Sequence, residues 1–97
     1  MWYAESMKNK DARDQIVSDL KNNVFSLSAH ALERMAQRDL AAVDIIALID
    51  GGALKNPVWN IENESWNFTG RGFSEELFTI ACAYEDDGTL IVTVFWE

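Results

Sequence analysis

The sequence predicts an α+β domain, with two or three N-terminal helices packed on one face of an antiparallel sheet of about four strands. Three observations point there. Apolar residues in the first half recur three and four apart, the period of a helix with one buried side. After Pro57 they fall into short runs rich in β-branched and aromatic residues, which read as strands. The two patterns follow one another without interleaving, which separates helices from strands along the chain. Ninety-seven residues, 48% of them apolar, suffice for one domain with a real core.

Residues 1–10 read as a polar lead-in. "DARDQIVSDLKNN" predicts a first helix from Asp11 to about Asn22, with Ile16, Val17 and Leu20 as its apolar stripe. Asp11 and Asp14 then sit near its positive end and Lys21 near its negative end, as the helix dipole prefers. "VFSLS" is a short extended link or strand, and Ser26 or Ser28 can cap the next helix. That helix runs from about Ser28 to Arg38, with Ala29, Leu32, Met35 and Ala36 opposite its polar ridge. A third helix, "AAVDIIALIDGG", places Val43, Ile46 and Ile49 on one side, widened by Ile45. Gly51 and Gly52 end it, because glycine accepts the left-handed C-terminal conformation.

"VWNIEN" and "SWNFTG" then predict two strands around a polar turn at Glu62 to Glu64. "GRGFS" reads as a loop. "EELFTIACAYE" reads as a central strand, "DDG" as a tight turn, and "TLIVTVFWE" as the last strand. In that strand strict alternation puts Leu90, Val92 and Val94 on one side, and Ile91, Thr93 and Phe95 on the other.

The net charge of −8 and pI of about 4.4 argue against indiscriminate nucleic-acid binding, which depends on neutralising phosphates with Lys and Arg. The same charge suits a basic partner. One cysteine, Cys82, excludes a disulfide within the chain, and its apolar surroundings predict an inert buried thiol. One Cys and one His do not make a zinc site, so no metal and no cofactor is expected. The opening "MWYAESMKNK" lacks the apolar core of a secretion signal and no run is long enough to span a membrane, so a cytoplasmic protein is expected.

The stretch with most chemistry is "FSLSAHALERMAQRDL". His30, Arg34 and Arg38 are four residues apart and share one ridge of the helix. Glu33 and Gln37 flank it. Two readings fit. Surface helices are commonly rich in Arg, Glu and Gln for propensity alone. Alternatively, imidazole moves protons near neutral pH and guanidinium groups hold phosphate, which together suit cleavage of RNA without metal, with the 2′-hydroxyl as nucleophile.

"FSLSAHALERMAQRDLAAVDIIALIDGG", with "WNFTGRG", "LFTIACAYEDDG" and "IVTVFW", resembles a widespread bacterial domain family of formally unknown function. That family is similar to the RelE/ParE/BrnT-type small toxins and to the barnase–EndoU–colicin–RelE group of RNases. The resemblance covers Phe25 to Trp96, leaving residues 1–24 as an N-terminal extension with a helix and residues 25–97 as a toxin-like core. It implies a type II toxin whose site gathers His30, Arg34, Arg38, the loop pair Gly70 and Arg71, and Thr93 around a phosphate. His30 would be general base or acid, with Arg34 and Arg71 on phosphate and Arg38 in support. A partner antitoxin is implied with it. Asp39 stands where a Gly is usual, and Ala41 where a Ser or Thr cap is usual. From Glu62 onward one arginine faces eight acidic residues, whereas such RNases are typically basic.

Arg71, between two glycines, fits either a phosphate clamp or a solvated loop. Thr93 is an ordinary strand residue whose catalytic role is implied by the resemblance alone. Trp59, Trp66 and Trp96 can stack on bases, with Trp66 as a substrate-binding residue, or anchor an interface, or pack in the core. The sequence thus leaves three classes of function: a toxin that cleaves RNA, a non-catalytic module of the same fold that binds a basic antitoxin-like or DNA-binding partner, and an assembly subunit.

Overall fold

The computed structural model describes the backbone of residues 2–96 and the side chains of residues 10–96. Among these the order is α1 (Trp2–Lys21), β1 (Phe25–Leu27), α2 (Ala29–Gln37), α3 (Ala42–Asp50), a 3-10 turn (Ala53–Lys55), β2 (Val58–Asn60), β3 (Ser65–Arg71), β4 (Leu77–Glu85) and β5 (Gly88–Phe95). The expected α+β fold is present, with the helices preceding the main strands. The side chain of Trp2 lies outside the described residues.

The sheet has five strands, not four, in the order β1-β5-β4-β3-β2. It is mixed: β2, β3, β4 and β5 form the antiparallel meander, and β1 joins β5 in parallel through Phe25–Thr89, Ser26–Leu90 and Leu27–Ile91. A three-residue strand carries too little pattern to reveal its partner or direction.

Helix α1 begins at Trp2, nine residues before the expected start. Asp11 and Asp14 therefore sit in mid-helix, away from the dipole's positive end. Ile16 and Leu20 are wholly buried against the sheet, with Val17 partly so, as their spacing predicts. At the other end of the apolar layer, α3 buries Ile45, Leu48 and Ile49. Val43 and Ile46, expected in its stripe, are exposed, and Asp44 takes a buried place instead. At the end of α3 only Gly52 takes the left-handed conformation, with φ of 97°.

The meander supplies the other wall of the core with Phe68, Phe78, Ile80, Cys82, Ile91 and Val94. The simple alternation expected in β5 fails in its middle. Ala81 pairs with Thr93 but Cys82 with Ile91, so Val92 is the extra residue of a β-bulge. The bulge puts both Ile91 and Val94 in the core, leaves Val92 exposed, and turns Thr93 to the opposite face with Ala81.

Candidate functional site

Helix α2 is joined to β5 by side chains. Beyond Leu27, β1 ends and the edge of β5 would carry unpaired carbonyls. Ser28 N–H donates to Ile91 O at 3.0 Å, and Ser28 Oγ donates to Val92 O at 2.6 Å. The same Oγ accepts from Ala31 N–H at 2.9 Å, which caps α2. One turn on, Arg34 Nε donates to Val94 O at 3.2 Å. The helix thus continues the edge that β1 begins, and this fixes where its polar ridge lies.

The buried side of α2 is Ala31 and Met35. Leu32, expected to pack, is 52% exposed, and Ala29 and Ala36 are exposed as well. The helix is therefore rotated so that its arginine ridge lies beside the core. Arg34 is half-buried, with its guanidinium carbon 5.7 Å from the centre of the Trp96 ring. Arg38 lies over the same ring at 4.6 Å and pairs with Glu76 at 3.9 Å. Trp96 itself packs against the core and sits 6.5 Å from Phe78. Cation–π contacts of this kind contribute about 0.5–2 kcal/mol each. Trp96 Nε1 and Glu76 Oε2 are buried without a hydrogen-bond partner, so this corner pairs a spare donor and a spare acceptor with two cations.

His30 is exposed one turn before Arg34 and makes no hydrogen bond or ion pair among the described residues. The structure thus joins Arg34 and Arg38 on Trp96 and leaves His30 beside them on the same helix.

The other expected site residues lie apart from that ridge. Arg71 is the last residue of β3, not a loop residue. It points to the face opposite the core, and its Nη1 donates to Glu75 O at 2.8 Å. Thr93 is on that same opposite face. Gly70 is on the helix side. A Cβ there would come within 3.1 Å of Ala53 Cβ and 3.2 Å of Leu48 Cγ, so its smallness serves packing against α3. Trp66 is partly buried on the helix side, 5.2 Å from Trp59, and takes its cation from α1, with Arg13 at 5.7 Å. Trp96, which spacing did not single out for the site, is the ring that collects the α2 arginines. Its signal was the pair of arginines spaced for one helix face near an aromatic strand end.

Cys82 is buried and burial pushes its thiol pKa up, so it stays protonated and is no nucleophile. An unfolded cysteine ionises near pH 8.5, whereas the folded one does not. The stability tied to the protonated thiol is therefore complete below about pH 8.5 and falls above it. Between about pH 8.5 and 9.5, wild type is expected to lose about 1 kcal/mol relative to Cys82→Ala in urea titrations at the two pH values. Equal losses in both proteins would show that the thiol ionises as readily when folded as when unfolded.

No group of three or more His, Cys, Asp or Glu placed to hold a metal occurs among the described residues. No described helix is long and apolar enough to cross a membrane.

The fold and this helix-flanked edge strand define a small α+β domain with a cationic ridge on an acidic body. The chain belongs to the DUF4258 family, a domain of unknown function, whose model matches residues 27–96. The match begins at the end of β1 and leaves α1 outside. No match to a curated protein or to a solved structure was found.

Proposed function

We propose that the protein is the toxin component of a type II toxin–antitoxin pair and cleaves RNA without metal at the α2 ridge. One arrangement supports this reading: an exposed imidazole one helical turn before the first of two guanidinium groups gathered on a single indole. Arg34 uses Nε on Val94 O, which orients the group and leaves its terminal nitrogens for phosphate oxygens. In the reaction the ribose 2′-oxygen attacks phosphorus and the bond to the 5′-oxygen breaks. His30 takes the 2′-hydroxyl proton and returns a proton to the departing 5′-oxygen. Arg34 and Arg38 hold the charge that builds on the phosphoryl oxygens. Arg71 and Thr93 take part only if the substrate also reaches the opposite face of the sheet.

Induced expression of wild type in bacteria is expected to arrest growth with loss of RNA. His30→Ala is expected to cut the cleavage rate about 10²–10⁴-fold while its thermal melt stays unchanged, since the side chain is exposed. Full toxicity of a folded His30→Ala protein would remove the imidazole from the mechanism.

A second reading has its own support. Arg34 and Arg38 are already engaged by Val94, Trp96 and Glu76, as structural arginines would be. On that reading the domain is a non-catalytic module that binds a basic antitoxin-like or DNA-binding protein, and wild-type expression leaves RNA intact.

A further inference from the structure

An open groove of about 1030 Å³ is lined by α1 and by β2, β3, β4 and their turns, toward the sheet edge opposite β1. Its apolar wall is aromatic. Trp59 and Trp66 stand tilted with centroids 5.2 Å apart, and Tyr84 lies near them on β4, 47% exposed. Ile61 at the rim is 77% exposed. Glu64 and Asp86 line the same groove from the two strand turns, Glu85 from the end of β4 and Asp11 from α1. No lysine, arginine or histidine is among the described lining residues, and the Arg13 guanidinium lies beside the groove, 5.7 Å from the Trp66 ring.

We propose that this groove is a docking site for an arginine- or lysine-bearing segment of a partner protein. Three observations select that occupant. First, four carboxylates around aromatic ring faces attract cations, since the ring quadrupole and the acids act with the same sign. Second, Trp66 already receives a cation, the guanidinium of Arg13 at 5.7 Å, so the chain itself displays the type of contact. Third, the charge of the whole chain, −8, repels a second copy and repels nucleic acid at this face. The groove is open and its volume exceeds what a single small cation needs, and a polypeptide can place one side chain over the rings and others beside the acids. The proposal is independent of any chemistry at the α2 ridge, and its test reads binding alone.

The probe is a short peptide of alternating arginine and alanine, titrated calorimetrically into the full chain at about 0.15 M salt, where long-range attraction is screened beyond about 8 Å. A glutamate–alanine peptide is the control. Wild type is expected to bind the arginine peptide and not the control. Tyr84→Ser, a change without charge at an exposed ring, is expected to weaken binding about fivefold. The pair Glu85→Lys and Asp86→Lys is expected to weaken it at least about tenfold. Asp50→Lys, at the exposed end of α3 and not among the groove's lining residues, is expected to leave it within about twofold at this salt. The proposal is overturned if wild type does not bind the peptide, if Tyr84→Ser binds as wild type does, or if Asp50→Lys weakens binding as much as the groove variants. Binding of a single-stranded RNA oligonucleotide that Tyr84→Ser abolishes would also overturn it.

Discussion

Phe68→Ala is expected to lower the unfolding free energy by about 3–5 kcal/mol, the range for emptying a buried aromatic site. Phe68 is wholly buried in the middle of β3, pairs with Ile80 on β4, and belongs to the cluster that α1 and α3 cover. Its neighbours are held by ladder hydrogen bonds on both strands, so the backbone has little freedom to collapse into the space. Native domains are stable by about 5–15 kcal/mol, so this one change removes a large share. A fall in melting temperature of about 15 °C or more should accompany it. Urea unfolding followed by tryptophan fluorescence measures the difference directly. A loss below about 1 kcal/mol would mean that Phe68 does not sit in a packed interior.

The features that were legible in the sequence are those that depend on local period. Ile16 and Leu20 repeat four apart and both are buried. "FTIACAY" is apolar apart from Thr79, and Phe78 to Cys82, Thr79 included, are buried without interruption. What was not legible depends on partners far along the chain. The direction of β1 is set by the three residues of β5 that it meets, and nothing in "FSL" encodes them. The bulge at Val92 breaks an alternation that the residue types satisfy equally well without it. In α3, Val43 and Ile46 have the right spacing and still face outward. The buried sector is instead Asp44, Ile45, Leu48 and Ile49, because the start of the helix is held by a carboxylate that spacing arguments treat as a surface group.

The site divides in the same way. That His30, Arg34 and Arg38 form a ridge follows from four-residue spacing. Which way the ridge faces does not, since it is decided by Ser28 and Arg34 finding the free carbonyls of β5. Arg71 and Thr93 entered through family resemblance, which supplies residues without their geometry. The strand pairing then separates them from the ridge, because both lie on the face opposite the core. The groove beside α1 was hidden for another reason. Its three aromatic residues come from three strands, and only the strand pairing brings them together.

Asp44→Ala is expected to destabilise the fold by about 3 kcal/mol, because one buried carboxylate serves two donors from different parts of the chain. Its Oδ2 accepts from Ala41 N–H at 2.9 Å, which caps α3 at a position where the alanine side chain cannot. Its Oδ1 accepts from Phe73 N–H at 3.0 Å and so ties the β3–β4 connection to the helix. That connection is otherwise closed by Gly72 N–H to Glu76 O and Glu75 N–H to Gly72 O. Asp44→Asn should not restore stability, since one of its two oxygens becomes an N–H facing a backbone N–H. Gly72 is the other half of the arrangement. A Cβ on it would meet Asp44 Oδ1 at 2.8 Å, closer than real contacts allow, and Phe78 Cε1 at 3.0 Å, an unusually tight contact. Gly72→Ala alone is therefore expected to cost about 1–3 kcal/mol, as overpacking does. In the Asp44→Ala background it should cost less, because the oxygen it displaces is gone, while the tight contacts with Phe78 and with the Cβ of residue 44 remain. A double-mutant cycle from urea titrations measures that difference. Strict additivity would show that the loop reaches its place without Asp44. A coupling of about 1 kcal/mol would make this carboxylate the fastening between α3 and the connection that follows Arg71.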